Sequence, residues 1–131
     1  MHHSPGFLRI VDDAKARVRE VSVSETRERL AANPRALLID VREDREWLAG
    51  HVRGARHLGK GIIERDIEAA VPDQDTEIIL YCGGGFRSAL AGDVLQQMGY
   101  SNVRSMAGGW REWVAAGAPV EVDLPSGTKS V

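Results

Sequence analysis

The chain has 131 residues, a formal net charge of -2 and one cysteine, with 43% hydrophobic and 27% charged residues. This length fits one domain with its own core, and the charge gives no general attraction to nucleic acid or to an anionic membrane. No apolar run approaches the roughly 18 residues of a transmembrane helix, and the N-terminus lacks a signal-peptide core. A single cysteine excludes an intramolecular disulfide. We therefore expect a cytoplasmic globular protein, either a monomer or a homodimer.

The first predicted elements in chain order are helical. Apolar residues at helical spacing indicate an amphipathic helix over 6–20. Ser24 is expected to cap a short second helix, which ends before Pro34 because the residue that precedes a proline is pushed out of the helical region. A continuous apolar run at 37–41 then predicts a buried strand.

Strands and helices alternate in the rest of the chain. Further helical patterns lie at 43–49, 62–70 and 90–98, with a Trp-rich helix after Gly108-Gly109. Further strand patterns lie at 55–58, 77–81 and 103–106. This alternation predicts an α/β fold with an open parallel sheet that is covered by helices on both faces.

The chain is expected to divide into three parts. Residues 1–20 form an N-terminal helical extension, residues 21–117 form the folded domain, and residues 118–131 form a polar, flexible tail.

The chemistry is predicted at Cys82, where a strong strand ends. Ligands of open α/β sheets bind outside the carboxyl ends of the strands, and a strand-to-helix turn there is expected to present the cysteine to solvent. The glycines at 83–85 let the backbone curl and point its N–H groups inward, with a left-handed conformation expected at Gly84. The start of the next helix and Arg87 add positive charge. Each effect favours the nucleophilic thiolate, although a cysteine after an apolar strand can also be an inert buried residue.

Three separated stretches resemble the signatures of one family, the rhodanese-type sulfurtransferases. Residues 82–89, Cys-Gly-Gly-Gly-Phe-Arg-Ser-Ala, resemble its active-site loop. The stretches that resemble its first and closing signatures are 38–42 with Glu46-Trp47, 50–55, and 108–110 with Trp113. The resemblance covers residues 21–117 and implies a five-stranded parallel sheet flanked by helices.

The resemblance also implies sulfur transfer in two steps. Cys82 attacks the outer sulfur of a small anionic donor such as thiosulfate and becomes a persulfide, and a thiol or protein acceptor then takes that sulfur. Lys60 is expected to help hold the anionic donor. The residues expected to surround the substrate are Gly83, Gly84, Gly85, Phe86, Arg87 and Ser88. No metal or organic cofactor is expected.

Residues outside the loop are expected to support the site. Asp40 ends a buried strand and should orient the loops at the sheet edge. Arg42 and Glu46 are spaced for an ion pair on one helix face. His51 is expected to bond a turn rather than to act as a base.

Two other functions stay open at this stage. Cell-cycle dual-specificity phosphatases resemble the same fold, but five residues separate their cysteine from their arginine, whereas four lie between Cys82 and Arg87. Rhodanese-like modules also serve as non-catalytic regulatory or docking domains, usually with the cysteine replaced.

Overall fold

The computed structural model describes residues 3–123, which form six helices and seven strands. The helices are α1 (Pro5–Lys15), α2 (Val23–Ala32), α3 (Asp44–Ala49), α4 (Ile63–Ala70), α5 (Phe86–Gln97) and α6 (Gly109–Ala115). The strands are β1 (Arg19–Val21), β2 (Leu37–Asp40), β3 (His51–Val52), β4 (Arg56–His57), β5 (Ile78–Tyr81), β6 (Val103–Met106) and β7 (Val120–Glu121). In this part of the chain, no helix is long and apolar enough to cross a membrane.

Five strands form one parallel sheet in the order β1-β6-β5-β2-β4. Neighbouring residues of a strand point to opposite faces of the sheet. Accordingly, Ile39 and Leu80 belong to one buried apolar cluster, and Leu38 and Ile79 belong to a second. The continuous apolar runs in the sequence arise from this two-sided burial. The predicted α/β fold with a five-stranded parallel sheet is confirmed.

The edge strand β1 was not predicted. It overlaps the last two residues of the expected helix over 6–20, which instead ends at Lys15. Only Val21 of the three β1 residues is buried, so the segment carries little strand pattern of its own. Its conformation comes from parallel pairing with β6, in which Val21 lies opposite Met106.

Helix α2 is capped by Ser22, and the prediction of Ser24 is wrong. The Ser22 hydroxyl accepts a hydrogen bond from the Glu25 backbone N–H at 3.0 Å, and the Glu25 carboxylate accepts one from the Ser22 N–H at 3.3 Å. This reciprocal capping box needs a serine three residues before a glutamate. Ser22 has that spacing to Glu25 and Ser24 does not.

The first part of the predicted flexible tail is held by the domain. Strand β7 pairs antiparallel with β3, and Asp123 accepts a hydrogen bond from the Trp47 indole at 3.0 Å. Pairing with β3 uses backbone groups, which the polar side chains of this segment do not reveal. The rest of the predicted tail, residues 124–131, lies outside the described residues.

Candidate active site

Cys82 directly follows β5 at the carboxyl edge of the sheet, and two backbone hydrogen bonds hold its loop. The N–H groups of Trp110 and Arg111, at the start of α6, donate to the carbonyls of Cys82 and Gly83 at 2.8 and 3.1 Å. This contact needs a glycine at position 109, where φ is +50° and a Cβ would lie 2.3 Å from the Cys82 carbonyl oxygen. The cysteine loop is therefore positioned by a segment that is distant in sequence.

Hydrogen-bond donors surround the sulfur of Cys82. The Gly85 and Ser88 N–H groups donate to Sγ at 3.1 and 3.4 Å. The Ser88 hydroxyl lies 3.5 Å from Sγ and 2.7 Å from the Ser105 hydroxyl. Together with the N-terminus of α5, these groups favour negative charge on the sulfur.

The left-handed turn of the loop lies at Gly85, which corrects the expectation for Gly84. Gly85 has φ +97° and is the N-cap of α5, whereas Gly84 has no positive φ. The turn falls one residue later because Gly85 both reverses the chain into the helix and directs its N–H at Sγ. This geometry exploits the conformational freedom of glycine.

Cys82 is not presented to solvent as the sequence predicted, since the residue is only 1% exposed. The loop closes around the sulfur because it directs its N–H groups inward. Cys82 instead lines a cavity of about 440 Å³. The other residues that line this cavity are His3, Phe7, Glu43, Arg45, Glu46, Gly83, Gly84, Phe86, Arg87 and Arg111.

The two arginines nearest the cysteine loop differ in their partners. Arg87 donates two hydrogen bonds to the Glu46 carboxylate, at 2.7 and 3.1 Å. The Arg87 guanidinium thereby lowers the pKa of Glu46 below its usual value. The Arg111 guanidinium lies beside Gly84 and forms no salt bridge within residues 3–123. Arg111 was not predicted as a site residue, because its only signal in the sequence is its position directly after the closing signature at 108–110.

Arg42 bonds to Asp40 inside the protein and does not pair with Glu46, which corrects that expectation. The Arg42 guanidinium donates to both Asp40 oxygens at 2.8 to 3.1 Å and to the Gly50 carbonyl at 2.7 Å. Asp40 is fully buried, and a buried carboxylate requires a charged or hydrogen-bonding partner. The pair joins the end of β2 to the residue before β3.

His51 and Lys60 do not line the cysteine cavity. The buried His51 ring bonds to the Val52 carbonyl at 3.0 Å and to Asp123 at 2.8 Å. His51, Glu121 and Asp123 offer three potential metal-ligand atoms within 4.8 Å of one another. Lys60 is exposed and lines a neighbouring cavity of about 540 Å³, which shares Glu43, Arg45 and Arg87 with the first.

The sequence profile of the family described as Rhodanese-like domain matches residues 22–116. Among curated relatives, a probable adenylyltransferase/sulfurtransferase of Mycobacterium tuberculosis is 33% identical over 106 residues, which cover 79% of this chain. The chain spans only 27% of the length of that relative. A thiosulfate sulfurtransferase of Pseudomonas putida is 36% identical over 80 residues, which cover 61% of this chain and 71% of the relative.

Solved structures show the same fold. A Rhodopseudomonas palustris protein of unknown function, called a possible tyrosine phosphatase, is 25% identical with a TM-score of 0.82, and the match covers 92% of this chain and 98% of that one. The polysulfide-sulfur transferase homodimer of Wolinella succinogenes is 25% identical with a TM-score of 0.76, and the match covers 95% and 93%.

Proposed function

Since this chain belongs to the family of rhodanese-like domains, we propose that it is a sulfurtransferase that carries sulfur as a persulfide on Cys82. The observation that carries this proposal is the set of groups around Sγ, two backbone N–H donors and the Ser88 hydroxyl. Relatives that are named sulfurtransferases support the general activity. The thiosulfate donor is our more specific proposal.

The proposed reaction has two displacements at sulfur. The Cys82 thiolate attacks the outer sulfur of thiosulfate, a new S–S bond forms at Sγ, and sulfite leaves with the electron pair of the old S–S bond. An acceptor thiolate or cyanide then attacks the outer sulfur of the persulfide, and the Cys82 thiolate leaves. The N–H groups of Gly85 and Ser88 stabilise the anionic sulfur at both stages.

This proposal predicts a mass change on one residue. After thiosulfate treatment, the intact protein should gain one sulfur atom, which cyanide should remove. Peptide mapping should locate the sulfur on Cys82, and protein alkylated beforehand is the control. An equal gain of sulfur by the alkylated control would contradict the role of Cys82.

The alternative hypothesis of a phosphatase is tested on the same protein preparation. Hydrolysis of an aryl phosphate in the absence of any sulfur adduct would support a phosphatase. We expect no such hydrolysis for two reasons. Only four residues separate Cys82 from Arg87, one fewer than in the phosphatases, and Arg87 already pairs with Glu46.

Arg111 is expected to bind the anionic donor, because it is the cavity arginine beside Gly84 without a carboxylate partner in residues 3–123. Replacing Arg111 with methionine should raise KM for thiosulfate about 2- to 5-fold, since an exposed charge contributes up to about 1 kcal/mol. The difference in KM between Arg111→Met and wild type should be smaller at high salt, because salt screens exposed charges. Steady-state kinetics at two ionic strengths provide the measurement.

The matched control removes a cation elsewhere. Arg27 lies on α2, with its guanidinium 6.0 Å from the Trp113 ring, and does not line the cysteine cavity. Arg27→Met should leave KM for thiosulfate unchanged. An equal rise in KM for both variants would point to long-range charge effects and would contradict a binding role for Arg111.

A further inference from the structure

The N-terminal helix α1 is fixed on the helix that follows the cysteine loop. Val11 and Ala14 of α1 are buried, and the Arg17 side chain after α1 donates to both oxygens of Asp93 on α5, at 2.7 and 2.8 Å. Gln96 of α5 also donates to the Arg17 carbonyl at 3.0 Å. The family profile begins only at residue 22, so α1 is an addition to the matched domain.

This packing brings an aromatic wall to the cysteine cavity, which we define as His3, Phe7 and Phe86. The ring centroids of Phe7 and Phe86 are 6.2 Å apart, and His3 lies 5.3 Å from Phe7 and 4.7 Å from Phe86. All three residues line the cavity that contains Cys82. Two of the three rings come from the segment outside the matched domain.

The cavity suits a ligand larger than thiosulfate. Its volume of about 440 Å³ lies in the range of sites that hold organic molecules, which combine apolar walls with a few polar groups. Flat apolar groups pack favourably against aromatic rings. Arg111, in the same cavity, can pair with an anionic group. Thiosulfate can use the arginine but has no apolar part to contact the rings.

We propose that Phe7 is a specificity-determining residue, and that the aromatic wall selects anionic sulfur donors that carry an aromatic group. An arenethiosulfonate represents this class. The Cys82 thiolate attacks its outer sulfur, the Sγ–S bond forms, the S–S bond to the sulfonyl sulfur breaks, and the arenesulfinate leaves with the electron pair. This inference rests on the proposed sulfur transfer.

The test compares two donors that differ in the aromatic group. Benzenethiosulfonate and methanethiosulfonate carry the same charge and the same reacting sulfur, and cyanide is the acceptor for both. The measured quantity is kcat/KM for benzenethiosulfonate divided by kcat/KM for methanethiosulfonate, determined in wild type and in each variant. Comparing this ratio between a variant and wild type cancels the intrinsic reactivity of the two donors.

Phe7→Ala should lower the benzene-to-methane ratio about 3- to 10-fold, the size of one lost aromatic contact. Phe7→Leu should shift the ratio in the same direction while it keeps an apolar contact with Phe86, which guards against a displaced α1. Ile10→Ala is the control, because Ile10 lies on α1 and is 53% exposed; its ratio should equal that of wild type. An unchanged ratio in both Phe7 variants would overturn the proposal.

A binding measurement separates this proposal from sulfur transfer itself. Benzenesulfinate and methanesulfinate can be titrated into Cys82→Ser protein and followed by NMR, without any reaction. We expect Cys82→Ser protein to bind benzenesulfinate more tightly than methanesulfinate, and a Cys82→Ser/Phe7→Ala protein to lose this difference. That result would support selection by the aromatic wall even if no donor transferred sulfur. Equal affinity for the two sulfinates would overturn the proposed selection by the aromatic wall. Sulfur transfer from thiosulfate in wild type would still support the proposed function in that case.

Discussion

Replacing Cys82 with serine is expected to reduce thiosulfate-to-cyanide sulfur transfer to the uncatalysed rate. A serine hydroxyl cannot hold a persulfide, and Cys82 is the only cysteine in the chain. The fold should survive, because the serine oxygen can accept the hydrogen bonds that Gly85 and Ser88 donate to Sγ. We expect the free energy of unfolding to change by no more than about 1–2 kcal/mol.

The measurement pairs a transfer assay with thermal unfolding followed by circular dichroism. Ser101→Ala is a suitable control, since it removes an exposed hydroxyl just before β6, at the amino ends of the strands and away from Cys82. It should keep wild-type activity. Persistent enzymatic transfer by the Cys82→Ser protein would end the persulfide proposal, whereas loss of activity together with loss of folded structure would call for Cys82→Ala as a second variant.

Replacing Gly109 with alanine is expected to lower kcat/KM by about 100-fold or more, because the cysteine loop must move. The new Cβ would lie 2.3 Å from the Cys82 carbonyl oxygen and 3.0 Å from the Gly83 carbonyl carbon. Both contacts are with backbone, which cannot rotate away. Displacement of a reacting group by about 1 Å can cost on the order of 100-fold in rate, and the left-handed conformation at Gly109 adds strain.

Variants at two other glycines distinguish the steric contact with the cysteine loop from backbone strain as the cause of the lost activity. Gly117→Ala shares the left-handed strain, with φ +68°, but its Cβ would meet no atom within 4 Å; it should lower the melting temperature slightly and keep activity. Gly84→Ala places a Cβ in the cysteine loop at an ordinary 3.6 Å from Arg111, so it should lower activity far less than Gly109→Ala does. If Gly117→Ala lost as much activity as Gly109→Ala, backbone strain and not the loop contact would be the cause.

Local patterns made the position of the cysteine loop predictable. The cysteine, the glycines at 83–85 and Arg87 are neighbours in sequence, and the buried strand that precedes them has a continuous apolar run. The turn conformation was less predictable, because each of three successive glycines can adopt a positive φ. Only the closure of the loop onto Sγ and the start of α5 select Gly85 for it.

The amino-acid sequence by itself determined the α/β class, the order of the central elements and the cysteine loop, because these depend on residues that are close along the chain. Tertiary structure alone decided that Glu46 pairs with Arg87 and not with Arg42. It also decided that α1 carries Phe7 to the cavity and that Arg111 lies beside Gly84. These contacts join segments that are distant in sequence, and their partners are chosen by packing between helices and by the need of buried charges for partners, which no local pattern records.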